Sequence, residues 1–141
     1  MAKQLSVFIE NRQGRLGEVL RVLKENQINI LSLSLADTTE YGLLRLIVNN
    51  PDFGKEKLLE SGFSTMVTKV FVVKIGHKSG SLQDLIKLLS DNGISVEYMY
   101  GLSTAKEDAF IVLKLANPEK AAQILDSNGV ATLSDEEISK I

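Results

Sequence analysis

The sequence has no cysteine, two prolines and a single histidine among its 141 residues. Without cysteine there are no disulfides, thiol nucleophiles or thiolate metal sites, which is consistent with a reducing compartment. The 16 lysines and arginines are outnumbered by 18 aspartates and glutamates, and they are dispersed along the chain. Because nucleic-acid-binding proteins usually carry a concentrated basic face, we expect no nucleic-acid partner.

Long apolar runs are absent as well. Stretches such as Val70 to Val73 are far below the roughly 20 residues needed to span a bilayer. The first residues also lack the apolar core of a signal peptide. With 44% hydrophobic and 24% charged residues the composition is that of an ordinary globular protein. We therefore expect a cytoplasmic protein with no membrane partner.

What the sequence does contain is an internal repeat. An apolar stripe with the i, i+3, i+4, i+7 spacing of an amphipathic helix recurs 66 residues later. Its members are Leu16, Val19, Leu20 and Leu23 in the first copy and Leu82, Leu85, Ile86 and Leu89 in the second. After one extra residue the shift becomes 67, so that Asn50-Pro51 corresponds to Asn117-Pro118. We interpret the chain as two tandem modules, residues 1–69 and 70–141.

Each copy predicts the order βαββαβ, which is the ferredoxin-like arrangement within the α+β class. Asn50 and Pro51 have the pattern of an N-cap and a first helical residue. Ser134 to Glu137 has the form of a capping box that begins a short terminal helix. Each module is thus predicted to be a four-stranded antiparallel sheet with two helices on one face. The first-copy strands are expected near residues 4–10, 28–37, 42–48 and 63–68, and the second-copy strands near 70–75, 94–102, 109–115 and from 130.

Both faces of the first module's predicted sheet carry aliphatic residues, more than one helix-covered face can bury. A module of about 70 residues is also small for a self-sufficient core. We therefore expect the two halves, or two chains, to pack together, and we predict a homodimer.

The segment that most favours ligand binding joins the first strand to the first helix. Gly14 allows a tight turn, and the free N–H groups of the first helical turn can donate hydrogen bonds to a carboxylate or phosphate. Arg12 or Arg15 would add positive charge, and the Asn11 amide can bond either end of a zwitterion. The alternative is purely structural, since glycine with polar neighbours is also how a strand turns into a helix.

Two βαββαβ units with this loop resemble ACT domains, the small-molecule-binding regulatory modules attached to many enzymes of amino-acid metabolism. The resemblance rests on Asn11 to Leu16, similar to the family's strand-to-helix signature, and on Ile28-Asn29-Ile30, similar to the start of its second strand. It implies that Asn11 and the backbone of Gln13, Gly14, Arg15 and Leu16 hold an amino acid, with Asn29 reaching in from a neighbouring module. Gln13 departs from the family pattern, which often has proline there.

The second copy of this loop keeps the glycine and the leucine but loses both asparagines, with Ser95 in place of Asn29. Its candidate ligand-binding residues are His77, Ser79, Gly80, Ser81 and Leu82. A general base or metal ligand needs partners within reach, and His77 has no carboxylate or second imidazole nearby in sequence. We therefore predict no catalytic residue, no metal and no cofactor. His77 is interpreted as a surface loop residue or as a hydrogen-bonding group for a ligand.

These observations predict a regulatory protein, not an enzyme, that binds a free amino acid or a similar small zwitterion. It would act in trans on a separate metabolic enzyme, because the ligand favours one arrangement of modules or subunits. One alternative is an oligomerisation module without a ligand. A second is an acylphosphatase-like hydrolase using Arg12, although the glycine-rich cradle of that family is missing. A third, RNA recognition, requires exposed aromatic residues on the first and third strands, where the sequence offers Phe8 and Tyr41.

Overall fold

The structure is a computed structural model that describes residues 1–10, 12–37, 40–76, 79–104 and 108–141. The chain divides into two compact units. The first unit is essentially Lys3–Thr68 and the second is chiefly Lys69–Ser139. None of the described helices is long and apolar enough to cross a membrane.

Six strands and five helices follow one another along the described chain. They are β1 (Ala2–Glu10), α1 (Arg15–Glu25), β2 (Ile30–Asp37), β3 (Tyr41–Val48), α2 (Pro51–Glu60), β4 (Thr65–Ile75), α3 (Ser81–Asp91), β5 (Val96–Ser103), β6 (Ala109–Leu115), α4 (Pro118–Ser127) and α5 (Asp135–Ser139). This succession confirms the predicted α+β class. The strands expected at 63–68 and 70–75 form one continuous strand, β4.

In the first unit the strands are ordered β2-β3-β1-β4. Strand β3 pairs antiparallel with both β1 and β2, so that Leu46 lies between Leu5 and Leu33. Helix α1 buries Val19 and Leu23 of the predicted stripe, together with Val22, in the core of this unit. The resulting core also includes Leu5, Val7, Ile9, Ile28, Leu44, Leu46, Val48, Leu58 and Phe63.

The second unit orders its strands β4-β6-β5, and its core combines Leu85 and Leu89 of α3 with Leu113 of β6 and Leu125 of α4. The four-stranded sheet predicted for this module is not confirmed. Instead of a fourth strand, the described chain after α4 forms an isolated bridge between Val73 and Thr132. The physical reason is length: the capping box of α5 already begins at Ser134, which leaves few residues for a strand.

Candidate ligand sites

Helix α1 begins directly after Gly14, whose φ of 88° lies in the left-handed region that glycine tolerates best. The chain turns tightly here, because the Arg12 N–H donates to the Glu10 carbonyl at 2.7 Å and the Arg15 N–H donates to the Arg12 carbonyl at 3.2 Å. Gly14 is the N-cap residue and supplies no side-chain oxygen. The positive end of α1 therefore lies beside the loop without a side-chain cap from this residue.

A pocket of about 230 Å³ opens beside this turn. Gly42 lies opposite both Ile9 of β1 and Asp37 of β2, so the pocket forms where three neighbouring strands end. A Cβ at Gly42 would lie 3.3 Å from the Leu35 Cδ1 atom, closer than side chains normally pack. The missing side chain at Gly42 thus helps to keep the pocket open. The lining residues are Ile9, Glu10, Arg12, Leu16, Leu35, Asp37 and Gly42.

Charges of both signs surround an apolar floor in this pocket. The Arg12 Nε atom lies 4.0 Å from Glu10 Oε2, and these side chains are 64% and 72% exposed. Asp37 adds a second carboxylate from the end of β2. The floor is aliphatic, formed by residues such as Ile9 and Leu35. A small molecule carrying both a carboxylate and an ammonium group would find a partner for each.

The structure brings some of the predicted first-loop residues to the pocket and not others. Arg12 and Leu16 line it, whereas Gln13 is exposed and does not. Arg15 has a different role: its Nη1 donates to Glu18 Oε2 at 2.7 Å, and its guanidinium carbon lies 4.2 Å from the centre of the Phe63 ring. Its charge is therefore used inside the first unit.

Asn11 lies outside the described residues, and so does His77. Asn29 is described, and its N–H donates to the Asn49 Oδ1 atom at 3.0 Å. It precedes β2, whereas Asp37 ends that strand. Asn29 and Asp37 are eight residues apart, which at a strand rise of about 3.3 Å per residue corresponds to roughly 26 Å. Asn29 is therefore remote from the pocket of its own unit, and its predicted role requires a second module.

The second unit repeats the turn, since Gly80 precedes α3 with a φ of 89°. Here the cavity is larger, about 500 Å³, and lies on another side of the helix. Of the predicted second-loop residues, Ser81 lines this cavity, and Ser79, Gly80 and Leu82 do not. The lining residues are Val73, Lys74, Ile75, Gly76, Ser81, Asp84, Leu85, Leu88, Gly129, Val130 and Ala131.

Sequence reasoning missed Glu10, Asp37 and Gly42 in the first pocket and Asp84 and Val130 in the second cavity. Asp37, Gly42 and Val130 are distant in sequence from the loops and reach them through strand register and helix packing, whereas Glu10 and Asp84 lie close to the loops in sequence. One signal was present, because Gly42 is a glycine within a strand rich in aliphatic residues. Within the described parts of the chain, no three histidine, aspartate or glutamate side chains are grouped so as to hold a metal ion.

An exposed aromatic pair occurs on the first and third strands. Phe8 and Tyr41 are 40% and 46% exposed, and their ring centres lie 6.1 Å apart at an interplanar angle of 57°. Tyr41 lies opposite Glu10 and follows Glu40, so its surroundings are acidic. A phosphate backbone would be repelled here, which disfavours the RNA-recognition alternative.

A family model described as an ACT domain pair matches residues 1–141. The chain belongs to this family. The ACT pair is similar to protein BT0572 from Bacteroides thetaiotaomicron, with 34% identity and a TM-score of 0.92 over 99% of this chain and 96% of that one. It shares its fold with the ligand-free regulatory subunit of aspartate kinase from Thermus thermophilus, at 15% identity and a TM-score of 0.62 over 88% and 87% of the two chains. No curated protein matches the sequence significantly.

Membership of the ACT family confirms the resemblance carried by the βαββαβ repeat and the Gly14 loop. ACT domains are regulatory modules, and the whole described chain is accounted for by two of them. The first pocket of this ACT pair lies at the strand-to-helix loop on which that resemblance depended.

Proposed function

We propose that this ACT domain pair binds a free amino acid, or a zwitterion of similar size, in the pocket beside the Gly14 turn. The observation that supports this most is that the pocket is lined by one guanidinium group, Arg12, and by two carboxylates, Glu10 and Asp37. The ligand carboxylate would bind the Arg12 guanidinium and the N–H groups of α1, and its ammonium group would bind the carboxylates.

The size of the pocket supports the same class of ligand. Its volume of about 230 Å³ is below the roughly 300–1,000 Å³ of pockets that hold drug-sized ligands. That space suits a metabolite of a few heavy atoms better than a nucleotide. The aliphatic floor of Ile9, Leu16 and Leu35 favours an amino acid whose side chain is short or apolar.

We further propose that the bound ligand regulates a separate enzyme. Both modules are of the ACT type, and one fold relative is described as a regulatory subunit of aspartate kinase. A ligand changes such a partner only if it binds one arrangement of the protein more tightly than another. Regulation would therefore be visible as a ligand-dependent change in assembly or in partner binding.

Isothermal titration with the twenty amino acids, together with thermal unfolding in the presence of each, tests the proposal. We expect heat and a raised Tm with one amino acid or a small group of them. Arg12→Gln and Asp37→Asn should each weaken binding by about fivefold, because a single exposed charge contact contributes up to about 1 kcal/mol.

Arg21→Gln provides the matched control. Arg21 is 66% exposed on the outer side of α1, where its Nε lies 3.8 Å from Glu25 Oε1. This substitution removes the same charge without touching the pocket, so the affinity should stay at the wild-type value. No response to any amino acid, or an equal loss in the Arg12 and Arg21 variants, would contradict the proposal.

A homodimer through β2 is part of the same proposal. Strand β2 is the outermost strand of the first unit, and Leu33 and Leu35 on it are 50% and 49% exposed. Unpaired edge strands with exposed aliphatic side chains favour association with another strand. Because Leu35 also lines the pocket, the ligand would bind next to the dimer contact.

Sedimentation of the wild type and two lysine variants tests the dimer. Leu33→Lys places a charge on the β2 edge and should give a monomer. Leu59→Lys alters an equally exposed leucine, 48% exposed on α2, and should leave a dimer. A dimer that survives Leu33→Lys, or a wild-type monomer, would contradict assembly through β2. A dimer that binds no amino acid would instead favour the ligand-free oligomerisation alternative.

A further inference from the structure

The cavity of the second unit occupies a place that is filled in the first unit. In the first unit the Arg15 guanidinium carbon lies 4.2 Å from the centre of the Phe63 ring, and Arg15 Nη1 donates to Glu18 Oε2 at 2.7 Å. The Arg15 side chain is 15% exposed and Phe63 is 3% exposed. The Arg15 guanidinium therefore stacks on Phe63, just before β4, and pairs with Glu18 in the first turn of α1.

The repeat relates these three residues to Ser81, Asp84 and Val130 in the second unit, by the shifts of 66 and 67. The carboxylate is retained as Asp84, whereas the guanidinium has become a hydroxyl and the aromatic ring an isopropyl group. All three replacements line the cavity of about 500 Å³. No ion pair joins Asp84 to another residue in the described parts of the second unit.

We propose that this cavity binds a small organic cation, a guanidinium or amidinium group attached to an apolar or aromatic body. Such a ligand would supply from solution the cation and the ring that Arg15 and Phe63 supply in the first unit. Its charged group would bind the Asp84 carboxylate. Its body would contact the aliphatic wall formed by Val73, Ile75, Leu85, Leu88 and Val130.

Two features of the first unit support this assignment. The positive end of α1 does not exclude a cation, because Arg15 is held there by the carboxylate of the same helical turn. The contact between Arg15 and Phe63 also shows that a planar cation and a benzene ring both fit beside the first turn of α1. Since α3 begins with the same left-handed glycine as α1, its first turn presents Asp84 in the way that α1 presents Glu18.

The cavity is separate from the proposed amino-acid site. The two share no residue, and under the repeat they overlap only where Ile75 and Gly76 of the cavity correspond to Ile9 and Glu10 of the first pocket. The remaining cavity residues come from Val73 and Lys74 of β4, from α3 and from the segment 129–131. The proposal therefore goes beyond the amino-acid site and can fail or succeed independently of it.

Titration with benzamidine and benzamide tests the charge requirement. Benzamidine carries a planar amidinium on a benzene ring, and benzamide is its neutral counterpart of nearly equal shape. We expect benzamidine to bind and benzamide to bind about fivefold more weakly, since an exposed charge pair contributes up to about 1 kcal/mol. Asp84→Asn should weaken benzamidine to a similar extent. Asp91→Asn, which alters a carboxylate on the last residue of the same helix, should have no effect.

Filling the cavity tests the location. Ser81→Arg combined with Val130→Phe rebuilds the cluster of the first unit and should reduce benzamidine affinity by at least about tenfold, because the site is then occupied. Val130→Phe alone should give a smaller loss and remains informative if the double variant does not fold. Amino-acid binding should be unchanged in both variants. Equal affinities for benzamidine and benzamide, or full binding to the Asp84→Asn and Val130→Phe proteins, would overturn the proposal.

Discussion

Alanine at Gly54, in the middle of α2, tests how closely the first unit's helix and sheet approach each other. A Cβ at this position would lie 3.0 Å from Leu5 Cδ1 and 3.7 Å from Ile28 Cδ1. Leu5 is 0% exposed, so its methyl group cannot retreat into solvent. Gly17 in α1 provides the matched control, because a Cβ there would have no neighbour within 4 Å.

Two effects of opposite sign act in the Gly54→Ala protein. Alanine is more favourable than glycine in a helix by about 1 kcal/mol. Inserting a methyl group into a well-packed core costs about 1–3 kcal/mol. The net result is a loss of about 0–2 kcal/mol in the free energy of unfolding. Gly17→Ala has only the first effect and should gain about 0.5–1 kcal/mol.

Urea unfolding followed by circular dichroism measures both changes, with the m value as a check that the same surface is exposed. Leu5→Val removes the methyl group that Gly54→Ala would strike. In that background the cost of Gly54→Ala should fall by about 1 kcal/mol, a coupling typical of residues in contact. A Gly54→Ala protein stabilised as much as Gly17→Ala would refute the close approach of α2 and β1.

Two further predictions concern helix ends. Asn50→Ala should cost about 0.5–1 kcal/mol in urea unfolding, because Asn50 Oδ1 accepts the Phe53 N–H at 3.4 Å. Asn117→Gly should leave the free energy of unfolding unchanged, since Asn117 has a φ of 51° and its side chain makes no cap hydrogen bond. An equal loss of stability in the Asn50 and Asn117 variants would contradict these two predictions. The Glu137 N–H donates to Ser134 Oγ at 3.2 Å. Ser134→Ala should therefore lower the local stability of α5 by about 1 kcal/mol and speed its amide exchange about fivefold. Unchanged exchange would show that this cap does not hold α5.

The parts of the fold that could be predicted are those fixed by local chemistry. Asn50 and Pro51 were predicted to begin a helix, and α2 begins there with the Asn50 side chain as its cap. The predicted capping box is also confirmed, since Ser134 and Glu137 bond each other's backbone N–H groups. These contacts join residues three positions apart, so neither depends on the rest of the chain.

Features that depend on distant residues could not be predicted. Sequence alone does not say whether the Arg15 side chain turns toward the Gly14 loop or toward Phe63, because Phe63 lies far along the chain and beyond a second helix. Asp37 and Gly42 enter the pocket through the register of β2 on β3, which no local pattern specifies. The bridge at Thr132 depended on how much chain remained before α5.

The two modules differ at residues that line the first pocket and the second cavity. The glycine turns, helix stripes and cores are repeated, whereas Arg15 and Phe63 became Ser81 and Val130. Suppose that the first pocket binds an amino acid and the second cavity binds an organic cation. Thermodynamic linkage then requires that the amino acid changes the affinity for the cation by the same factor by which the cation changes the affinity for the amino acid. Titrating benzamidine with and without a saturating amino acid, and then in the reverse order, measures that factor. A factor of one would mean that the two modules bind independently, and the cation would then have no regulatory effect on amino-acid binding.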